Sequence, residues 1–166
     1  MQQKLGRVSL AGREVSLPFE QFVGHRSKAV ANVVEKGAVR KFAEAIGDPN
    51  PLYTDEEVAK VSRYGGLIAP PTFPRTFDYG EIEGTGSPGQ GFIHGEHHIS
   101  YERPLFVGEE VSCYVEVKDY YEKERRGGAL GFLVSERVGE DLEGKRIFAM
   151  LDTAILTPAM REILEL

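Results

Sequence analysis

The chain has 166 residues, enough for one domain with a substantial core. Its net charge of −6 is opposite to what a nucleic-acid-binding surface selects, and no apolar run reaches the roughly 20 residues that a membrane-spanning helix needs. A single cysteine, Cys113, leaves no partner for an internal disulfide and fits a reducing compartment, so the cytoplasm is the expected location.

Residues 8–17 hold apolar positions broken by Ala11-Gly12, the pattern of a short hairpin or arm that Pro18 ends. Phe19 to Val23 suits a helical turn, and the β-branched run from Ala29 to Val34 predicts a strand. Val39, Phe42, Ala43 and Ile46 recur at i, i+3, i+4 and i+7, which predicts a helix with Gly47 as its C-terminal cap. Asp48-Pro49-Asn50-Pro51 then forms a stiff elbow, because each proline keeps its predecessor out of the helical region. Asp55-Glu56-Glu57 supplies acids to the first turn of the next helix.

Pro70 and Pro71 hold the chain extended, and residues 72–82 are predicted as a helix with Phe73 and Phe77 inward. The glycine-rich stretch 84–91 reads as a connector, with a flap beside a binding channel as its functional alternative. From Phe92 the apolar period becomes two. Ile99 and Tyr101, then Val111, Cys113, Val115 and Val117, then Leu130, Phe132 and Val134, then Ile147, Ala149 and Leu151 mark strands of an antiparallel meander. Its turns are expected near Lys123-Glu124-Arg125-Arg126-Gly127-Gly128 and over residues 139–144. A last helical turn is expected over 160–166. The chain thus predicts one α+β domain spanning 1–166, a curved antiparallel sheet wrapped around a central helix. Such a sheet leaves edge strands open, which predicts a dimer.

Three stretches carry chemistry. The elbow presents Asp48 five positions ahead of the Tyr53 phenol, and each residue has a plain alternative, as a turn former and a packed aromatic. Asn50 suits a turn as well as a substrate contact. His94, His97 and His98 are the one histidine cluster. On a regular strand His94 and His98 share a face with His97 opposite, and no neighbouring acids or cysteines complete the three or four ligands of a metal site. Hence no metal is expected. No phosphate loop, dinucleotide fingerprint or serine-hydrolase elbow is present.

Residues 45–55 (AIGDPNPLYTD), 65–73 (GGLIAPPTF) and 101–109 (YERPLFVGE) together resemble the MaoC-like hydratase and dehydratase family, over roughly residues 23–158. The resemblance implies a hot-dog fold and addition of water to trans-2-enoyl thioesters, or its removal from (3R)-3-hydroxyacyl thioesters, on CoA or acyl carrier protein. It implies no cofactor, and a homodimer or a heterodimer with another hot-dog chain. By the same resemblance Asp48 is the catalytic aspartate that holds the added water or accepts its proton, and Tyr53 stands where active members have histidine. Asn50, Pro71 and Thr72 lie against the thioester, and Phe73 and Phe77 line the acyl channel. A phenol has a reference pKa near 10 and is mainly a proton donor at neutral pH. The alternative is therefore a non-catalytic chain that shapes the acyl tunnel of a heteromeric dehydratase. One of the histidines at 94 or 97 facing the pocket would be a second way to replace the missing imidazole. A thioesterase is a further, weaker reading.

Overall fold

The computed structural model describes residues 7–10, 13–16, 19–85 and 92–163. Most of the expected 84–91 loop, residues 1–6, 11–12 and 17–18, and the final three residues lie outside them. Strands β1 (Arg7–Leu10) and β2 (Arg13–Ser16) pair antiparallel, as the hairpin reading expects. The main sheet has five strands: β3 (Val30–Val33), β4 (Phe92–Tyr101), β5 (Glu110–Lys123), β6 (Leu130–Glu140) and β7 (Arg146–Leu156). Their order is β3-β5-β6-β7-β4, with every pair antiparallel. The three long strands form the predicted meander, and β3 and β4 are its edges.

Between β3 and β4 lie α1 (Lys36–Ala45), α2 (Pro51–Thr54) and α3 (Glu56–Val61); α4 (Pro158–Ile163) follows β7. One sheet face carries two apolar clusters. Val34, Val39, Ala43, Phe73, Phe148 and Met150 belong to the first, beneath α1. Phe19, Phe22, Ile82, Tyr120, Leu133 and Leu156 belong to the second. The segment after Pro71 runs from one to the other, with Phe73 and Tyr79 in the first and Ile82 in the second.

That segment is not the helix expected over 72–82. It makes one 3-10 turn, Phe73–Thr76, and Phe77 then turns extended with ψ 153°. Side chains far away in sequence take the hydrogen bonds that a helix would have used. The Asp78 N–H donates to Asn32 Oδ1 at 2.9 Å, and Asn32 Nδ2 donates to the Asp78 carbonyl at 2.8 Å. Ser27 Oγ donates to the Tyr79 carbonyl at 2.6 Å, and the Tyr79 hydroxyl donates to the Pro74 carbonyl at 2.7 Å. The inward placement of Phe73 and Phe77 holds even so. Their rings meet edge to face at 5.6 Å, and Phe77 continues to Phe148 at 6.2 Å.

The β6–β7 turn is also shorter than the sequence suggests. Gly139 belongs to β6, and the chain reverses over Asp141 to Lys145, where Asp141 Oδ1 accepts from the Glu143 and Lys145 amides. The glycine marks a close approach, since a Cβ there would lie 2.3 Å from the ring of fully buried Phe148. Gly139→Ala is therefore expected to cost about 2 kcal/mol, as overpacked cores do. Gly127→Ala, whose Cβ would meet nothing within 4 Å, is expected to leave the urea unfolding midpoint unchanged.

Candidate functional site

The elbow forms as its residues predict. Gly47, with φ 72°, ends α1 in a Schellman arrangement: the Gly47 amide donates to the Glu44 carbonyl at 3.2 Å and the Asp48 amide to the Ala43 carbonyl at 3.0 Å. Asn50 caps α2, its Oδ1 accepting from the Leu52 amide at 3.0 Å, with Pro51 at the first helical position. Asp55 caps α3 by accepting from the Glu57 and Val58 amides. Each bend is satisfied locally, so Asp48 and Tyr53 sit on backbone with little freedom.

The two side chains face different surroundings. Tyr53 is buried in the first apolar cluster, whereas Asp48 is exposed. Burial raises the Tyr53 pKa first, and the charges of Asp48 and Tyr64 raise it further, so the phenol remains a proton donor at any physiological pH. Tyr101 is a neighbour that sequence reasoning placed only as a core strand residue. Its hydroxyl donates to the Pro71 carbonyl at 2.8 Å, and burial followed by the proximity of Tyr53 raises its pKa as well. Pro71 and Thr72 are exposed at the start of the 3-10 turn, Phe73 is buried and Phe77 is half-buried. Tyr53, Tyr101 and the Phe73, Phe77 and Phe148 rings thus belong to one apolar cluster, with Tyr101 and Phe148 5.8 Å apart.

The two clefts described on the molecule lie elsewhere. One, of about 180 Å³, is lined by Arg75, Phe92, His94, Leu133, Arg137 and Ala154, with Asp152 at its wall. The other, of about 120 Å³, is lined by Phe19, Glu81, Ile82, Val117 and Leu133, and it shares Ser135 and Arg137 with the first. Asp48, Tyr53 and Asn50 line neither.

Asp152 is 8% exposed and ties three elements together. Its Oδ1 accepts from Arg75 Nη1 at 2.9 Å and from His97 Nδ1 at 2.7 Å, and its Oδ2 accepts from Arg137 Nη1. A carboxylate only accepts, so Nδ1 of His97 carries a proton, and its Nε2 is buried with no hydrogen-bond partner among the described residues. The histidines do not alternate as a regular strand would have them. A bulge between His94 and Glu96 shifts the phase, and His94 and His97 come to one face with ring centroids 6.0 Å apart. With Asp152 they bring three donor groups within 4.8 Å, which the local sequence did not suggest. A dication there would sit against two guanidiniums already holding the same carboxylate.

The family model for the FAS1-like dehydratase domain region matches residues 21–150. The chain belongs to that family. A UPF0336 protein of Streptomyces avermitilis is 38% identical over 101 residues, 56% of this chain and 67% of that one. Among solved structures, the MaoC-like dehydratase from Rhodospirillum rubrum superposes with a TM-score of 0.64 at 22% identity, covering 81% of this chain and 91% of that one. The C-terminally truncated HadBC (3R-hydroxyacyl-ACP dehydratase) complex from Mycobacterium tuberculosis gives 0.63 at 18% identity, covering 81% and 96%. The FAS1-like dehydratase region here therefore has the α+β hot-dog fold, and the resemblance carried by the three motifs holds. Among the described residues, no helix is long and apolar enough to cross a membrane.

The buried tyrosines make stability depend on alkaline pH. Tyr53, Tyr79 and Tyr101 all have folded pKa values above the ordinary 10. Their contribution is complete below pH 10 and is lost as the pH rises through the folded values. Urea unfolding is expected to give a stability that falls between pH 9 and 11, and Tyr53→Phe is expected to make that fall shallower. Asp152→Asn is expected to cost about 3 kcal/mol by the same measurement, the low end for a broken buried pair because Arg75 keeps contact with water.

Proposed function

We propose that this chain is a subunit of a hydro-lyase acting on trans-2-enoyl and (3R)-3-hydroxyacyl thioesters of CoA or acyl carrier protein. Family membership supports the reaction class, and the proline-locked elbow supports the site. In this reading Asp48 accepts a proton from the water that is added, or returns it in dehydration. Tyr53 donates a hydrogen bond to the same water or hydroxyl. The Thr72 amide, which makes no hydrogen bond among the described residues, faces the thioester oxygen where enolate charge develops. Asn50 and Pro71 border the thioester, and the acyl chain follows Phe73 and Phe77. The chemistry is proton transfer next to a carbonyl and calls for no metal or redox cofactor. A single hot-dog domain over 1–166 in the cytoplasm, whose sheet edges pair with a second hot-dog chain, completes the reading.

One observation supports a division of the catalysis between two chains. The residue at the histidine position is a buried phenol whose pKa is driven upward, beside a carboxylate open to solvent. A phenol so placed donates but does not accept, and an exposed carboxylate lacks the dry surroundings that sharpen acid–base catalysis. A second hot-dog chain laid over the elbow supplies both the enclosure and the imidazole whose place Tyr53 takes here. The reading that fits is thus an acyl-binding subunit whose Asp48 works in an assembled site, rather than a self-sufficient hydratase.

Purified alone, the chain is expected to hydrate crotonyl-CoA at least a hundredfold more slowly than when paired with a histidine-bearing hot-dog chain, followed by loss of enoyl absorbance. Asp48→Asn is expected to lower the rate of the pair at least tenfold, and Tyr53→His to raise the rate of the chain alone. A chain with full activity alone, unaffected by Asp48→Asn, would falsify the assignment of the elbow.

A further inference from the structure

The arginine pair beside Asp152 is not used by the thioester reading, and its charge does not close. Around the larger cleft stand Arg75 and Arg137 against the single carboxylate of Asp152, with His94 at the wall, so one positive charge is left over when the histidine is neutral. Each guanidinium carries five donors. Among the described residues, Asp152 is the one group to which either guanidinium hydrogen-bonds. Arg137 also lies over the Tyr79 ring at 5.8 Å. It lines both clefts, and in the larger one the apolar side chains of Phe92, Leu133 and Ala154 stand among the polar ones of His94, Ser135 and Thr153. The larger cleft has no acid in its lining besides Asp152.

A guanidinium held by an ion pair, in a cleft of mixed lining that includes Phe92, Leu133 and Ala154, suits a carboxylate on a short hydrocarbon chain, since the planar fork matches the two carboxylate oxygens. Cavities of about 150 Å³ hold a molecule the size of benzene, so about 180 Å³ suits a chain of about six carbons. A cation is the poorer occupant, because it would compete with two arginines for Asp152. We propose that Arg137 and Arg75, clamped by Asp152, bind the carboxylate of a short-chain acid whose alkyl part lies between Phe92, Leu133 and Ala154. The carboxylate belongs either to a free acid or to the far end of a dicarboxylic acyl thioester. The lining includes neither Asp48 nor Tyr53, so the free-acid source stands separately from the thioester chemistry, whereas the acyl-thioester source rests on that reading.

Isothermal titration of the full chain tests this with butanoate, hexanoate, dodecanoate and hexanol, and with adipyl-CoA against hexanoyl-CoA. Saturable binding of hexanoate, at least tenfold tighter than hexanol and tighter than dodecanoate, supports the free-acid source. Adipyl-CoA binding at least tenfold tighter than hexanoyl-CoA, without hexanoate binding, supports the thioester source. Arg137→Gln is expected to weaken either at least tenfold. Because that variant also strips a partner from Asp152, Ala154→Leu serves beside it: it fills the cleft, leaves the ion cluster intact and is expected to abolish binding. The proposal is overturned if neither ligand class saturates, if hexanol equals hexanoate, or if a folded Ala154→Leu protein binds as the wild type does.

Discussion

A carboxylate withdrawn from water organises the middle of the sheet face. Asp152 lies on β7, and the groups that neutralise it come from β4, from β6 and from the 3-10 turn that crosses the face. Burying such a group is costly unless it is paired and fully hydrogen-bonded. The three donors offset that cost, and they do so only when β4, β6, β7 and the crossing segment are in their observed register. The cluster separates two apolar regions and fixes where the segment after Pro71 passes between them.

The elbow works differently. No charge cluster holds it; its order comes from caps and prolines, each satisfied within a few residues. The result is a rigid presentation of Asp48 at the surface with Tyr53 turned inward. Under the proposed function this is positioning without enclosure, with the exclusion of water left to a covering chain. The exposed apolar side chains of Ile46, Val58 and Val61 lie on the helices flanking this elbow.

Local signals carried much of this architecture. The i, i+3, i+4, i+7 spacing from Val39 to Ile46 located α1, Gly47 its end, and the period of two the meander strands. Residues 72–82 misled because Phe73 and Phe77 have helical spacing, yet Asn32 and Ser27, some fifty positions away, claimed the backbone groups that a helix needs. Gly139 looked like a turn because nothing nearby announces the Phe148 ring that occupies its Cβ space. The Asp152 cluster was illegible for a deeper reason. The bulge beside Gly95 changes the phase of the histidines, and the pairing of His97 with Asp152 exists only once β4 and β7 are in register. The motifs at Asp48 and Tyr53 were legible in identity, but their opposite exposure was not.

The lone thiol of Cys113 faces Val30 across the edge pair of β3 and β5, is fully buried, and has its pKa pushed up to about 12 by desolvation. In the closed protein it is neither a thiolate nor within reach of an alkylating reagent. Peeling β3 from the sheet removes both protections at once. The rate at which this sulfur is alkylated therefore clocks how often that edge opens, with no competing cysteine to blur the reading.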